Sequence, residues 1–356
     1  MDKLIKGLLF TDIHWGKKQN SDKHNQNCLD FIQFVIDSIQ DDPSIDHVIF
    51  MGDWFDNRNT VNVSTLNYAH LGAQLLNELN IPIFFIIGNH DLYTRVHRKV
   101  YSTIMYHDLT NFHVITELTV IDRIGNGALL CPFLFHHEYD QLNEYKGIPN
   151  YYGHFEFEGF IITGYNITMQ NGPDHTKFSE PKHIFSGHFH KRQAHDNIIY
   201  IGNTFPMDFS DANDNHRGFA IHEHTTDEIT FVDWLDCPKY INTKLSSIID
   251  GTVSLTKGAT VKCYADIEVS YEEVIKLRKM YSKTYNLQDF VIEEHKDNDY
   301  SDIGTIATES LLDDSKPYNI DDAIIMMLQE IDTPQIDNNV LIEIYQSLEV
   351  VNASIS

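Results

Sequence analysis

Short apolar runs alternate with longer amphipathic stretches along the first 90 residues of the chain. Leu8–Phe10, Val48–Met51 and Ile81–Ile87 are short and almost wholly apolar, as buried strands of a parallel sheet are. Leu29–Ile39 and Leu66–Leu79 lie between them and carry apolar residues at helical spacing. This alternation of strand and helix predicts stacked βα units.

From about residue 115 the pattern indicates short strands separated by turn-rich segments. The predicted strands are Val114–Ile121, Ala128–Cys131, Phe160–Thr163, His183–Ser186, Ile198–Ile201, Gly218–His222 and Ile229–Val232. Two packed sheets with helices outside them would accommodate this order.

A smaller unit follows, with a strand at Thr260–Ile267, a helix at Tyr271–Tyr285 and a strand at Phe290–Glu294. The next residues are polar, acidic and aperiodic, which predicts a linker. We therefore predict a main domain over residues 1–238, a small α+β domain over 239–295, the linker over 296–319 and a helical segment over 320–356.

The last segment contains two predicted amphipathic helices, at 321–331 and 338–351. Their apolar faces include Ile324, Leu328, Leu341, Ile344, Tyr345 and Leu348. Such a stripe of apolar anchors can dock in a groove on a partner, but it can also pack on its own chain. The pattern alone leaves both interpretations open.

The formal charge of −26 argues against a protein that grips nucleic acid by itself, because phosphate binding calls for a basic surface. The excess is uneven, since the 64 residues from Glu293 to Ser356 hold fifteen acidic and two basic residues. Basic residues of the larger part follow the polar motifs described below. Either they form a local cationic rim that binds substrate, or they belong to a mixed surface; those proposed for substrate binding are Arg58, Arg95, Arg98 and Lys191.

The four cysteines are widely spaced and form no CxxC pair, which favours reduced, buried thiols. No segment approaches the roughly 20 apolar residues that span a membrane, and the N-terminus runs straight into a predicted strand. These features predict a soluble cytoplasmic protein with no membrane association.

Five short motifs place Asp, Asn or His where an apolar run ends: Asp12-Ile13-His14, Gly52–Asp56, Gly88–Asp91, Gly153-His154 and Gly187–His190. In α/β sheets, ligands bind at the carboxyl ends of the strands. Oxygen ligands beside imidazoles suit two divalent ions, and such ion pairs hydrolyse phosphoesters. A carboxylate such as Asp53 has two oxygens and can bridge two ions.

The ordered set DxH, GDxxD, GNHD, GH and GHxH resembles the signature of calcineurin-like metallophosphoesterases. Within them, Asp12–Gly16, the GDxFD form at Gly52–Asp56 and the C-terminal extension resemble the double-strand-break repair nucleases, which include bacterial SbcD and the small subunit of tailed-phage recombination endonucleases. The resemblance implies a four-layer α/β/β/α sandwich with a small α+β capping domain and C-terminal helices.

The resemblance also implies roles for individual residues. The first ion would be held by Asp12, His14, Asp53 and His190, and the second by Asp53, Asn89, His154 and His188. The assignment of His154 as a metal ligand stays open, because Ile148–Tyr152 is a poor strand. Three other histidines could take its place: His136, His137 and His175. His90 would orient the scissile phosphate or protonate the leaving oxygen, and Asp56 would fix the tautomer of His90 by a hydrogen bond.

The same resemblance implies manganese as the metal, with magnesium as the alternative, and DNA as the substrate. It further implies an SbcC-type coiled-coil ATPase partner, gripped by the C-terminal helices, and a homodimer within a heterotetramer. The predicted function is a DNA exonuclease or endonuclease in recombination, repair and replication. The alternatives are a small-molecule phosphodiesterase or phosphatase with the same metals, and a catalytically silent acidic interaction protein.

Overall fold

The computed structural model describes residues 2–162 and 167–294 of the chain. The predicted linker and C-terminal helices lie outside the described residues, and so do the six apolar residues proposed to bind a partner. None of the helices within the described ranges is both long and apolar enough to cross a membrane.

The strands are short and begin close to the N-terminus. In chain order they are β1 (Lys6–Phe10), β2 (His47–Met51), β3 (Ile83–Ile86), β4 (Phe112–Ile115), β5 (Thr119–Ile121), β6 (Ala128–Cys131), β7 (Asn150–Gly153), β8 (His183–Ser186), β9 (Gln193–His195), β10 (Ile198–Tyr200), β11 (Gly218–Glu223), β12 (Glu228–Asp233), β13 (Tyr240–Lys244), β14 (Thr260–Ala265) and β15 (Asp289–Glu294).

The helices are concentrated before β3 and after β13. They are α1 (Lys17–Asn20), a single left-handed turn, and the regular helices α2 (Asp22–Asp41), α3 (Val63–Asn77), α4 (Leu245–Ile249) and α5 (Tyr271–Tyr285). Short 3₁₀ segments occur at Ile104–Asp108, His136–Tyr145, His175–Phe178 and Phe209–Asp211. Ser270 begins α5 with a capping box, its hydroxyl accepting from the Glu273 amide.

Two six-stranded sheets form the larger part of the structure. The first has the order β12-β11-β1-β2-β3-β4, with β1 to β4 parallel and β11 and β12 antiparallel at one side. The second has the order β5-β6-β7-β8-β10-β9, with β6, β7, β8 and β10 parallel. The βα connections of the first sheet place α2 and α3 on its outer face.

Alternation along each strand assigns its side chains to different layers. Leu8 and Phe10 of β1 pack with α2, whereas Leu9 between them faces the second sheet. In the second sheet Tyr152 and Phe185 meet Leu9 in that central layer. The outer face of this sheet is covered by aromatic loops and the 3₁₀ segments, through residues such as Tyr139, Phe157 and Phe178. The predicted α/β fold with two packed sheets is confirmed, and both sheets prove to be rich in parallel pairs.

The smaller unit after residue 239 has three parallel strands in the order β13-β14-β15. Its own apolar cluster includes Leu245 of α4, Val261 of β14 and Phe290 of β15. Helix and strand alternate here as in the main sheets, so this unit repeats the βα arrangement on a smaller scale.

Two predicted strands need correction, and one segment that was not predicted as a strand forms one. The predicted strand Val114–Ile121 is two strands, β4 and β5, which lie at the edges of different sheets because the chain crosses the sandwich after Ile115. The predicted strand at 160–163 is represented in its described part by one isolated bridge, between Ile161 and Thr168. The segment judged a poor strand, Ile148–Tyr152, contains β7, which pairs with β6 and β8 on both sides.

Candidate metal centre

The five motifs converge where five parallel strands end. Asp12, Asp53 and Asn89 follow β1, β2 and β3 of the first sheet, and His154 and His188 follow β7 and β8 of the second. The two groups meet directly, since the His188 amide donates to Asp12 Oδ2 at 3.0 Å. The carboxyl ends of both sheets therefore form one site.

The backbone of these motifs is strained. Asp12, His14, Asp53 and His188 have φ values of 53°, 51°, 62° and 84°, in the left-handed region that non-glycine residues rarely adopt. Gly52 has a φ of 98°, and a Cβ atom there would lie 2.5 Å from His154 Nδ1. Strain of this kind persists where the surrounding structure imposes it, and it is commonest at functional sites.

One cluster of donor atoms comprises Asp12, His14 and His190. His14 Nε2 and His190 Nε2 are 3.1 Å apart, and they lie 3.6 Å and 4.0 Å from Asp12 Oδ1. Asp12 is fully buried, and its Oδ1 has no hydrogen-bond partner among the described residues. A buried carboxylate oxygen that faces two imidazole nitrogens and lacks a donor is what a cation would satisfy, so these residues fit a divalent ion.

A second cluster comprises Asp53, Asn89, His154 and His188. The Asn89 Oδ1 atom lies 2.9 Å from His154 Nε2 and 3.0 Å from His188 Nδ1, and His154 Nε2 lies 3.4 Å from Asp53 Oδ2. A carboxylate, an amide oxygen and two imidazoles are a donor set for a divalent transition metal. These residues fit a second ion.

Asp53 lies between the two clusters. Its Oδ2 atom is 3.4 Å from His154 Nε2 and 3.8 Å from His14 Nε2, and its Oδ1 accepts from the His90 amide at 2.9 Å. Burial opposes ionisation of Asp53, but His154 and His90 outweigh it and hold the pKa of its carboxyl well below its usual range. Asp53 is therefore a charged carboxylate in a position that can bridge two ions.

The surroundings of His154 favour the protonated form of its ring. Burial lowers the pKa of His154, but the carboxylate of Asp53 acts in the opposite direction, and the net effect raises that pKa to about 9. An ion that binds through His154 Nε2 must displace this proton.

The imidazoles of the second cluster are oriented through their other nitrogens. His154 Nδ1 lies 2.7 Å from the Met51 carbonyl oxygen, to which it donates. His188 Nε2 lies 3.5 Å from Glu156 Oε1, and His136 Nε2 lies 3.4 Å from the other oxygen of the same carboxylate. Such partners fix ring orientation and raise ligand basicity.

Glu156 was not singled out from the sequence. Burial raises its pKa, but His136 and His188 outweigh burial and hold it far below the usual range. The one signal available was its position two residues after His154, where alternation keeps it on the same side of the extended chain.

His90 is held beside the first cluster by main-chain groups. Its ring meets that of His14 edge-on, with centroids 5.0 Å apart, and its Nδ1 donates to the backbone carbonyl of Asp56 at 2.6 Å. Asp56 therefore accepts the hydrogen bond that was expected to fix the tautomer of His90, through its main-chain carbonyl and not through its carboxylate. The carboxylate points instead toward His14 Nδ1 at 3.7 Å and Lys17 Nζ at 3.9 Å.

Asp91 braces the loops that carry the ligands. Its two carboxylate oxygens accept from the amides of Gly88 at 2.9 Å, of Asp53 and Trp54 at 3.0 Å, and of Phe55 at 3.3 Å. The fully buried carboxylate thus ties the loop after β3 to the loop after β2.

The histidines that competed with His154 lie elsewhere. His136 contacts Glu156, His137 stacks on Phe135, and His175 lies 3.9 Å from Asp196. The difficulty with β7 came from its sequence, Asn-Tyr-Tyr-Gly, which lacks the aliphatic run of the other central strands.

The four basic residues proposed for substrate binding differ in their surroundings. Arg98 forms a bidentate pair with Glu138 at 2.5 and 2.7 Å, and its guanidinium also donates to the carbonyls of Thr116 and Phe133. This corrects the expectation for Arg98, because its donors are consumed within the fold. Arg95 is exposed, whereas Arg58 and Lys191 are half-buried.

Comparison with known proteins agrees with this geometry. A family model described as calcineurin-like phosphoesterase matches residues 5–192. Exonuclease subunit 1 of Enterobacteria phage T4 is 28% identical over 232 residues, which are 64% of this chain and 67% of that protein. The DNA double-strand break repair protein Mre11 of Methanosarcina mazei is 34% identical over 93 residues, which are 26% of this chain and 15% of the archaeal protein.

Among solved structures, a dimetal phosphatase from Danio rerio aligns with a TM-score of 0.39 at 10% identity, covering 62% of this chain and 93% of the other. The family match is the decisive comparison, because it spans all five motifs and more than half of the chain. The resemblance inferred from the motifs is thereby confirmed: the chain belongs to the calcineurin-like phosphoesterase family.

Proposed function

We propose that this protein is the nuclease subunit of a DNA-processing complex and hydrolyses DNA phosphodiesters with two divalent ions. Family membership and the donor set already support a metal-dependent phosphoester hydrolase. The observation that carries the proposal is the place of Asp53 Oδ2, within 4 Å of an imidazole of each cluster. DNA as the substrate is inferred from the two relatives, whose names describe an exonuclease subunit and a DNA repair protein.

The proposed first ion is held by Asp12, His14, Asp53 and His190, and the second by Asp53, Asn89, His154 and His188. When bound, two such ions supply Lewis acidity to a phosphodiester and lower the pKa of water. The chain contributes a rigid, charged binding site. Four of its residues are at least nine-tenths buried: Asp12, His14, Asp53 and His154. We propose manganese as the working metal, with magnesium as the alternative, because mixed imidazole and carboxylate ligands accept manganese.

His90 is proposed to act on the substrate and not on the metal. Its Nδ1 is committed to the Asp56 carbonyl, so the tautomer is fixed and Nε2 carries the free lone pair of the neutral ring. Once protonated, Nε2 can donate a hydrogen bond to the scissile phosphate or supply a proton to the leaving oxygen. His14, Asp53 and His90 could also hold a metal ion together, so the assignment of His90 needs a test that measures metal and activity separately.

Because the chain is strongly acidic, we propose that a partner protein binds the DNA with it. The proposed partner is an SbcC-type coiled-coil ATPase that clamps DNA and docks on the apolar faces predicted at 321–351. A homodimer of this chain would then form the core of a heterotetramer. Close to the metal centre, Lys17, Arg58 and Arg95 offer positive charge for the substrate backbone.

The test is cleavage of end-labelled linear DNA with manganese, magnesium or EDTA, comparing wild type with His90→Ala. His137→Ala is the matched control, because His137 is exposed and outside both clusters. We expect manganese-dependent cleavage that is lost in His90→Ala with metal content unchanged. Metal lost together with activity would make His90 a ligand and contradict its proposed role.

A parallel assay with bis-p-nitrophenyl phosphate separates nuclease from small-molecule phosphodiesterase. Hydrolysis of this ester, without DNA cleavage even when the ATPase is added, would contradict the proposed substrate. Metal binding without hydrolysis of either substrate would favour a silent interaction protein.

A further inference from the structure

A separate group of histidines lies at the opposite ends of the same strands. His183 is the first residue of β8, whereas His188 follows the end of that strand. His222 of β11 pairs with Gly7 near the start of β1, whose far end leads to Asp12. Five residues of extended chain span on the order of 16 Å, so this group is remote from the metal centre.

The ligand atoms of His183, His222 and Asp227 converge. His183 Nε2 lies 3.0 Å from Asp227 Oδ2, and His222 Nε2 lies 3.6 Å from Asp227 Oδ1. All three ligand atoms lie within 4.8 Å of one another. Asp227 is in the turn between β11 and β12 and has a φ of 62°, so its carboxylate is presented by a strained left-handed residue.

The surroundings of His222 indicate independently that a ligand binds here. Its side chain is fully buried, yet Nε2 has no hydrogen-bond partner within the described part of the chain. A buried polar atom without a partner costs about 1–3 kcal/mol, so such atoms call for an explanation. The other nitrogen, Nδ1, lies 2.7 Å from Tyr152 Oη. Metal-bound imidazoles are held in this way, with the second ring nitrogen donating to a fixed acceptor.

We propose that His183, His222 and Asp227 form a third metal site, which takes a transition-metal dication such as Zn²⁺. Two imidazoles and one carboxylate are a donor set that zinc accepts, with a further position left for water. The side chains of His183 and Asp227 are 18% and 31% exposed, so an ion can enter from solvent.

The site would join the two sheets of the sandwich. His183 belongs to the second sheet, whereas His222 and Asp227 belong to the hairpin β11–β12 of the first. One ion therefore ties elements that are otherwise held together by packing. Lys182 competes for the carboxylate, since its Nζ lies 2.7 Å from Asp227 Oδ2, but it is 57% exposed and such exposed pairs are weak.

The test is the zinc content of the full chain after dialysis against Zn²⁺, measured by mass spectrometry of the metal. The variants are His183→Gln and Asp227→Asn, both at partly exposed positions. The control is His137→Gln, because His137 is exposed and belongs to none of the clusters among the described residues that could hold a metal ion. We expect the first two variants to retain one zinc per chain less than wild type, and the control to retain as much as wild type. Equal content in all four proteins would overturn the proposal, as would loss in the control alone.

A second readout does not depend on stoichiometry. Zinc should raise the unfolding temperature of wild type by more than that of Asp227→Asn, because an ion that binds only the folded state stabilises it. Equal shifts in the two proteins would also overturn the proposal. Manganese-dependent DNA cleavage should be the same in both, which separates this site from the proposed catalytic centre.

Discussion

The carboxylate of Glu156 provides a direct test of how the second metal position is organised. It lies 3.5 Å from His188 Nε2, while the opposite nitrogen of that ring faces Asn89 Oδ1 at 3.0 Å. In Glu156→Gln the side chain keeps its size but loses the negative charge that polarises and aligns His188. The residue does not belong to either donor cluster, so any effect must pass through the imidazole.

The size of the effect follows from comparable sites. Removing a carboxylate that supports a metal-bound histidine weakens metal affinity by roughly ten- to a hundredfold. That range corresponds to about 1.4–2.7 kcal/mol of binding free energy. Glu156 also contacts His136, but His136 is half exposed and its loss should matter less.

The assay is the manganese concentration that gives half-maximal DNA cleavage, measured for wild type, Glu156→Gln and Glu158→Gln. Glu158 is the matched control, because it lies two residues further along the same loop. We expect the midpoint to rise at least tenfold in Glu156→Gln and to stay within about twofold of wild type in the control. An unchanged midpoint in Glu156→Gln would refute the role assigned to this carboxylate.

Three further predictions concern the same site and its surroundings. At saturating manganese, Asp56→Asn should keep cleavage within about threefold of wild type, because the backbone carbonyl and not the side chain holds His90. A loss comparable to that of His90→Ala under the same conditions would contradict this. Arg98→Ala should lower the free energy of unfolding in urea by about 2–4 kcal/mol, because it leaves Glu138 unpaired. The affinity for DNA should not change. Weaker DNA binding at unchanged stability would restore Arg98 as a substrate contact. Metal affinity should rise with pH up to about 9, by up to tenfold per unit for each proton released, because the pKa of His154 is raised to about 9 and its proton must leave. Affinity independent of pH between 7 and 9 would contradict the protonated state of His154.

The convergence of the proposed ligands was predictable, because most of them follow closely after a strand. Asp12, Asp53 and Asn89 end apolar runs, and the rule that parallel strands gather ligands at their carboxyl ends brings such residues together. His154 was harder, because the four residues of β7 are recognisable as a strand only from their pairing with β6 and β8. Pairing between distant segments leaves little trace in a short window of sequence.

Other features depend on atoms that a sequence pattern does not describe. The acceptor for His90 is a main-chain carbonyl, which every residue carries, so no residue type could indicate it. Arg98 followed a motif and was taken for a substrate contact, but its partner Glu138 is 40 residues away in sequence. The split of Val114–Ile121 between two sheets likewise depends on where the chain crosses the sandwich.

The most direct test of the account is the cleavage of end-labelled duplex DNA by Asp53→Asn, with manganese content measured on the same samples. Asn matches Asp in size but removes the charge that lies between the two clusters. The control is Asp37→Asn, at an exposed position of α2. We predict that Asp53→Asn loses at least one manganese ion and that its cleavage falls by about a hundredfold or more, with the control unaffected. Cleavage at the wild-type rate in Asp53→Asn would contradict a nuclease that works through two ions bridged by this carboxylate.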